Sequence, residues 1–226
     1  MNHSLIICSR IDSFLDKILL LRSKKSLKND NSFVSEGDLL VQKIIIDYIN
    51  KSLPSHELIS EELMPTNSGQ WNKNGSYVIL DPIDGTENFI SGLKEWGVGF
   101  SIYTHGKHVE SCIYLPELND KAITGMKQPR FDSRIIGLSS SLKKQDFETI
   151  PEGFEYRIMG CSMYNMLAAV RGSYKRFENI KGVNCWDILP GLNLAIENEV
   201  KALVDGKEYT GEILFPTQKY KIKLGG

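Results

Sequence analysis

The chain has 226 residues, 41% of them hydrophobic and 24% charged, with a formal net charge of −1; that suffices for one large core or two small packed ones. A balance this near to neutral offers no global attraction for a nucleic-acid polymer or an anionic membrane, so phosphate binding would have to be built locally from cations or backbone amides. No stretch approaches ~20 apolar residues, which excludes a conventional membrane-spanning helix.

The start, MNHSLIICSRIDSF, lacks a charged leader followed by a long apolar run. The four cysteines, Cys8, Cys112, Cys161 and Cys185, are too scattered for a zinc site and read as reduced thiols of a cytoplasmic protein. Apolar residues at helical spacing predict a helix from Ile11 to Leu21, followed by a polar loop from Arg22 to Asn31. A second amphipathic helix is expected over Leu39 to Tyr48, ending before Pro54. Glu57 to Ile59 and Tyr77 to Leu80 read as short strands. Gly97 to Tyr103 and Val109 to Leu115 form a hairpin pattern around Gly106-Lys107, with a further strand over Ala122 to Gly125.

Pro129, within Lys127 to Asp132, marks a break between a region 1–128, rich in antiparallel pattern, and an α/β region 129–226. Strands are expected there at Arg134 to Leu138, Tyr174 to Phe177, Ala202 to Val204 and Lys219 to Leu224. Helices are expected at Met163 to Val170 and Asp187 to Glu197, and Asp205 to Gln218 carries no clear pattern.

The densest chemistry is YVILDPIDGTENF, Tyr77 to Phe89. An apolar strand delivers Asp81, Pro82 stiffens the turn, Asp84 follows three positions later, and Gly85 permits tight backbone geometry. Thr86 opens the next segment, where free amides can receive a phosphate. Two acids on one turn can share a hard cation such as Mg²⁺, which keeps several waters and leaves room for substrate. Asp, Pro and Gly are also the residues of ordinary surface turns, so the turn alone is compatible with both readings. Glu61 and Glu62 end an apolar strand in LISEEL, Asp38 closes the polar run Lys28 to Asp38, and Asp187 follows Trp186 at a helix start. Singly, these are a solvated corner, a dipole-favoured acid and an N-cap.

Together, Ser60-Glu61-Glu62, Asp81-Pro82-Ile83-Asp84-Gly85-Thr86 and Trp186-Asp187, with Ser35 to Asp38 upstream, resemble the inositol monophosphatase superfamily in order and spacing. The resemblance runs from about Lys28 to Phe89 and resumes from about Arg157 to Gly191. It implies a layered α-β-α-β-α sandwich with the site between its two regions: 1–128 binding metal and phosphate, 129–226 completing the metal site. It further implies two to three Mg²⁺ ions, one held by Glu61, Asp81 and the Ile83 carbonyl and a second by Asp81, Asp84 and Asp187. Asp38 and Thr86 would orient the attacking water, with Glu62 in support. Gly85 and Thr86 amides would grip the phosphate, and Gly160 and Asp187 would face the substrate. Divalent cations make water nucleophilic near neutral pH and stabilise a leaving oxygen, and phosphoryl transfer needs chiefly positioning and charge neutralisation.

The expected reaction is hydrolysis of a small phosphorylated metabolite, a nucleotide or a polyol phosphate, by a monomer or homodimer. The loop Lys28 to Asp38 and Ser60 resemble the 3′(2′),5′-bisphosphate nucleotidases, and Thr86 to Phe89 the inositol monophosphatases; the balance tips to the nucleotidase. Glu178 stands farther before Asp187 than in the inositol enzymes, and Lys175 and Arg176 are either a second-phosphate contact or a solvated strand end. Departures from the family are Gly160-Cys161-Ser162, Ile188-Leu189-Pro190-Gly191, with Pro190 expected in a first helical turn, and a segment missing between Asn119 and Arg157. A non-catalytic relative that binds a phosphorylated ligand, and a structural protein whose acids only form turns and caps, are the competing expectations.

Overall fold

The computed structural model describes residues 2–63 and 71–226. Helix α1 (His3–Leu20) begins earlier than the periodicity predicts, because Asn2 caps it through Leu5 N–H and Ile7 and Cys8 extend its buried stripe. The expected loop after it contains a two-stranded ribbon, β1 (Lys25–Leu27) and β2 (Phe33–Ser35). All of β1 is exposed, so it carried no alternation to read. Helix α2 (Glu36–Ser52) starts at a reciprocal capping box between Ser35 and Asp38.

A five-stranded sheet follows, built from β3 (Glu57–Ser60), β4 (Tyr77–Asp84), β5 (Gly97–Thr104), β6 (Lys107–Leu115) and β7 (Asp120–Ile123) in that spatial order, with the short helix α3 (Thr86–Ile90) after β4. Only β3–β4 is parallel. The hairpin between β5 and β6 turns through His105 and Gly106, both at positive φ, which matches the strands' twist. Every residue of β4 is buried, and alternation splits its side chains. Val78 and Leu80 pack under α1 and α2, whereas Tyr77 and Ile79 join the core on the other face.

The second sheet comprises β8 (Ile135–Leu138), β9 (Glu155–Arg157), β10 (Arg176–Val183), β11 (Ala202–Val204), β12 (Lys207–Glu208) and β13 (Tyr220–Gly225), ordered β12-β11-β13-β10-β8-β9. Helices α4 (Ser162–Val170) and α5 (Cys185–Glu197) fill the space between the sheets, and the larger core cluster draws on both sheets and both helices. The layers are α1/α2, first sheet, α4/α5, second sheet, and over its outer face the segment that contains the 3-10 turn Lys144–Thr149. This is the mixed layered α/β architecture the sequence suggested.

Two local expectations are corrected. The strand expected at Tyr174 to Phe177 is β10, displaced toward the C-terminus because Tyr174 instead packs under Gly137, and its register against β13 shifts between Asn179 and Val183. Pro190 is the sixth residue of α5, because Asn184 rather than Asp187 caps the helix. Its missing N–H therefore leaves the Trp186 carbonyl without its intrahelical donor. The ring presses instead on β5, where a Cβ on Gly99 would lie 3.2 Å from Pro190 Cγ and would overlap the Met163 side chain. Glycine at position 99 thus lets both helices approach the sheet that carries the acids.

Candidate metal centre

Parallel pairing of β3 with β4 aligns Ser60 with Leu80, and Glu61 N–H continues the ladder to Leu80 O at 3.3 Å, which sets Glu61 beside Asp81. Asp81 follows Tyr77 and Ile79 onto the face covered by α5, and the first turn of α5 brings Asp187 there. Ligand oxygens of Glu61, Asp81 and Asp187 all lie within 4.8 Å of one another. Asp81 is fully buried, and among the described residues neither of its oxygens has a hydrogen-bond partner. An orphaned buried carboxylate is costly unless a cation meets it.

The neighbours are held in place. One Asp84 oxygen accepts Met163 N–H at 2.5 Å and the Cys161 thiol at 3.0 Å, and Asp187 accepts Asn184 N–H at 2.9 Å. Asp84 therefore points one oxygen into α4 and is not part of the tight trio, although it lines the same cavity as Asp187. The register shift between Asp81 and Asp84 separates the two acids of the turn. Ile83 O accepts the Thr86 hydroxyl at 3.1 Å, and that hydroxyl also lies 3.2 Å from Asp38 Oδ1. The second Asp38 oxygen takes Ser35 N–H and Oγ–H. The sequence-expected pair Asp38–Thr86 is thus in contact, beside the Ile83 carbonyl.

Burial is the first cause of every pKa shift among these acids. It raises Asp81 and Asp187 well above the usual carboxylate range, with Glu61 next among the causes for both. It pushes Asp84 up to about 6 against the pull of its Met163 and Cys161 donors, and Glu62 up to about 7 against Lys28. Asp38 is raised too, and its Ser35 and Thr86 hydrogen bonds oppose the shift. An acid cluster with raised pKa values and unpaired oxygens is what an absent counter-charge leaves behind. The donors are hard oxygens, which fit Mg²⁺ or another hard divalent cation.

Next to the acids lies a cavity of about 230 Å³, lined by Asp84, Asp187, Gly160 and Cys161 and by residues the sequence reading did not single out as contacts. Ser139, Ser140 and Ser141 form one wall, Asn179, Gly182 and Asn184 another, with Asn165 and Lys219 between them. Asn165 is 2% exposed, and among the described residues its Oδ1 has no partner. The Asn179 side chain donates to Ser139 Oγ at 3.1 Å and accepts Lys181 and Gly182 N–H, which fixes the bulge of β10 as a wall. The only sequence signal for this wall was the extra length between Glu178 and Asp187 and the serine run after β8. Gly85 and Gly160 both stand at positive φ and pack together, so that a Cβ on Gly85 would lie 3.0 Å from Cys161 Cβ and 3.3 Å from Gly160 O.

Other candidates fall elsewhere. Glu178 pairs with Arg176 at 2.9 Å and Lys223 at 3.5 Å on the outer face of the second sheet. Lys175 and Arg176 lie over the Phe154 ring and do not line the acid cavity. Ser60 donates its hydroxyl to Gln42 Oε1 at 2.6 Å in the interior, away from the acid cavity. Among the described residues no helix is long and apolar enough to cross a membrane.

A family model described as the inositol monophosphatase family matches residues 9–132. Among curated proteins, the Nus factor SuhB of Escherichia coli (strain K12) is 26% identical over 191 residues, covering 74% of this chain and 69% of the relative. SuhB of Vibrio cholerae is 34% identical over 97 residues, 41% of this chain and 34% of the relative. Among solved structures, Staphylococcal inositol monophosphatase-1, in a LiCl-soaked inhibitory complex, aligns with a TM-score of 0.82 at 20% identity, covering 97% of this chain and 88% of that one. An IMPase/NADP phosphatase complexed with Mg²⁺ and phosphate aligns with a TM-score of 0.80 at 20% identity and the same coverage. At these identities the structural likenesses establish the fold.

Proposed function

This chain belongs to the inositol monophosphatase family and is a phosphatase; from that premise we propose that it is a Mg²⁺-dependent phosphomonoesterase acting on a small polyol or sugar phosphate. The observation that carries the metal dependence is Asp81, buried with both oxygens unpartnered between Glu61 and Asp187. Glu61, Asp81 and Asp187 would hold Mg²⁺, with Asp84 and the Ile83 carbonyl completing two to three positions. When bound, the cations supply charge neutralisation for the phosphate and acidify the attacking water.

The chain's own groups divide the remaining work. Thr86 and Asp38, 3.2 Å apart, would orient the attacking water and take its proton toward Asp38 Oδ1. Glu62 supports them from the edge of the cluster, and the Gly85 and Thr86 amides would meet a phosphate oxygen. The alcohol part of the ester would lie in the cavity beside Asp84 and Asp187.

The cavity walls support a polyol or sugar over a nucleotide. They present hydroxyls and amides from Ser139, Ser140, Ser141, Asn165 and Asn184. The one aromatic residue lining it, Phe177, is 1% exposed and offers no face for a base to stack on. A bisphosphate nucleotide is the second reading, favoured by Lys219 as the cavity's cation. Phosphate release should be measured with inositol 1-phosphate, 3′-phosphoadenosine 5′-phosphate and fructose 1,6-bisphosphate, with Mg²⁺ and with EDTA. Preference for inositol 1-phosphate supports the first reading and preference for the adenosine compound the second. No Mg²⁺-dependent release from any of them rejects both.

A further inference from the structure

Helix α3, which carries Thr86, has five residues and no side-chain cap. A helix that short does not persist on its own hydrogen bonds and takes its place from tertiary contacts. Its anchor is Phe89, whose side chain is fully buried. The Trp96 ring meets the Phe89 ring edge-on with centroids 4.9 Å apart, and the Arg22 guanidinium lies over the Phe89 ring at 4.9 Å from its centroid. The tip of the ring presses on the first turn of α2, where a Cβ on Gly37 would lie 2.7 Å from Phe89 Cε1 and 2.8 Å from Cζ. Glycine at position 37 thus admits the ring one residue before Asp38.

Both groups that hold the ring are themselves held by one acid, Glu117, in the 3-10 turn Pro116–Leu118 after β6. Its Oε2 accepts Arg22 Nη2–H at 2.5 Å and Trp96 Nε1–H at 2.6 Å. The Arg22 and Glu117 side chains are mostly shielded from water, and Glu117 does not line the acid cavity. Charge-assisted hydrogen bonds in such a place fix geometry more firmly than exposed ones. The Phe89 ring is therefore a spacer of set position between the first turns of α2 and α3, and the Thr86 hydroxyl and Asp38 Oδ1 lie 3.2 Å apart across those same turns. We propose that Glu117 is a positioning residue for catalysis: by fixing Arg22 and Trp96 around the Phe89 ring, it sets the spacing of the two turns and with it the Asp38–Thr86 contact. This rests on the roles given to Asp38 and Thr86 above and adds the remote residue that holds them together. Glu117 itself touches no reacting atom.

A positioning role and a merely structural one give different kinetics. If Glu117 only stabilises the fold, its loss lowers the melting temperature but leaves the turnover of the folded enzyme as it was. If it sets the Asp38–Thr86 contact, kcat falls, and the effect vanishes once Thr86 has already lost its hydroxyl. The test is steady-state phosphate release by the full chain with saturating Mg²⁺, on the ester of the panel above that the wild type turns over fastest. Wild type, Glu117→Met, Thr86→Val and the Glu117→Met/Thr86→Val double variant are compared. Glu117→Met should lower kcat about tenfold with KM unchanged, and the double variant should be no slower than Thr86→Val alone. An unchanged kcat in Glu117→Met, or losses that multiply in the double variant, overturns the proposal while leaving the phosphatase reading standing. No release by the wild type from any ester rejects the roles of Asp38 and Thr86 and this proposal with them. Should Glu117→Met fail to fold, Arg22→Met carries the same comparison, since it frees one face of the Phe89 ring and leaves Glu117 its bond to Trp96. An unchanged kcat there, or a loss that multiplies with that of Thr86→Val, likewise overturns the proposal.

Discussion

The acid cluster and the cavity wall touch each other but are built on opposite plans. The cluster is set on the stiffest parts of the molecule: β3 and β4 in parallel register, and the first turn of α5. Its acids repel one another, Asp81 is buried while Glu61 and Asp187 are half-buried, and among the described residues the Asp81 oxygens have no hydrogen-bond partner. The wall is set on a register shift of β10 and on the segment after β8, and its polar groups largely satisfy one another: Ser139 with Ser141, and Asn179 with Ser139 and Gly182. The first region gathers carboxylates whose burial and mutual repulsion a bound cation would relieve. The second is built mostly of neutral hydroxyls and amides, with Lys219 as its cation, and shapes a space. Under the proposed function the chemistry would reside in the first and the choice of ester in the second, and the wall should be alterable at little cost to the fold.

The largest effect should come from Asp81→Asn. Phosphate release should fall on the order of 10³-fold, whereas in EDTA the variant should melt above wild type, because a buried repelling charge is gone. A lower melting temperature in EDTA would break the claim that these acids repel one another. Asp84→Asn should likewise lose Mg²⁺-dependent turnover and remain folded.

The same burial and repulsion have a pH signature. The folded-state pKa values of Glu62 and Asp84 are raised from 4.5 to about 7 and from 3.8 to about 6. The folded state therefore binds more protons than the unfolded one across those intervals, and stability falls as pH rises through them. In EDTA the melting temperature should drop between pH ~4 and ~7, and saturating Mg²⁺ should flatten the slope. An EDTA slope of the opposite sign would contradict the raised values.

Thr86→Val tests the boundary between the regions. It removes the hydroxyl shared by Asp38 and Ile83 and should lower turnover by about 10²-fold with little change in melting temperature. In the wall, Gly182→Ala forces a side chain into a φ of 96° with its Cβ 3.1 Å from Lys219 Cβ. It should cost about 1–2 kcal/mol in denaturant unfolding and raise KM more than it lowers kcat. Ser141→Ala, the mildest change, should raise KM a few-fold, by about what one neutral hydrogen bond contributes, with kcat unchanged. A loss of kcat in Ser141→Ala would mean that the wall takes part in the chemistry after all.

The acids themselves were legible because their spacing is local. Asp81 and Asp84 share a turn, Glu61 and Glu62 end a strand, and each carries its own sequence context. The pairing of Lys28 with Glu61 and Glu62 was not legible, since a lysine in a polar run looks solvated until a fold brings two glutamates to it. Neither was the Asn179–Val183 wall, because a bulge has no periodicity of its own and depends on the register of β13 beside it. The sequence pattern puts Pro190 in the first turn because it starts the helix at Asp187, whereas the capping box begins at Asn184. The missing lead was the reciprocal pattern of a short polar side chain three residues before an acid, which also marks Ser35 and Asp38.

By itself, the sequence determined the layered α/β class, the family, and the set of carboxylates, because alternation, helical period and short motifs are all read within a few residues. Tertiary structure alone decided that Glu61, Asp81 and Asp187, drawn from a strand end, a strand interior and a distant helix, meet within 4.8 Å. It alone decided that Asp84 turns one oxygen toward α4 and that Lys28 pairs with Glu61 and Glu62. Charge acts through space and through the loss of water on burial, and neither distance nor burial is written in the order of the residues.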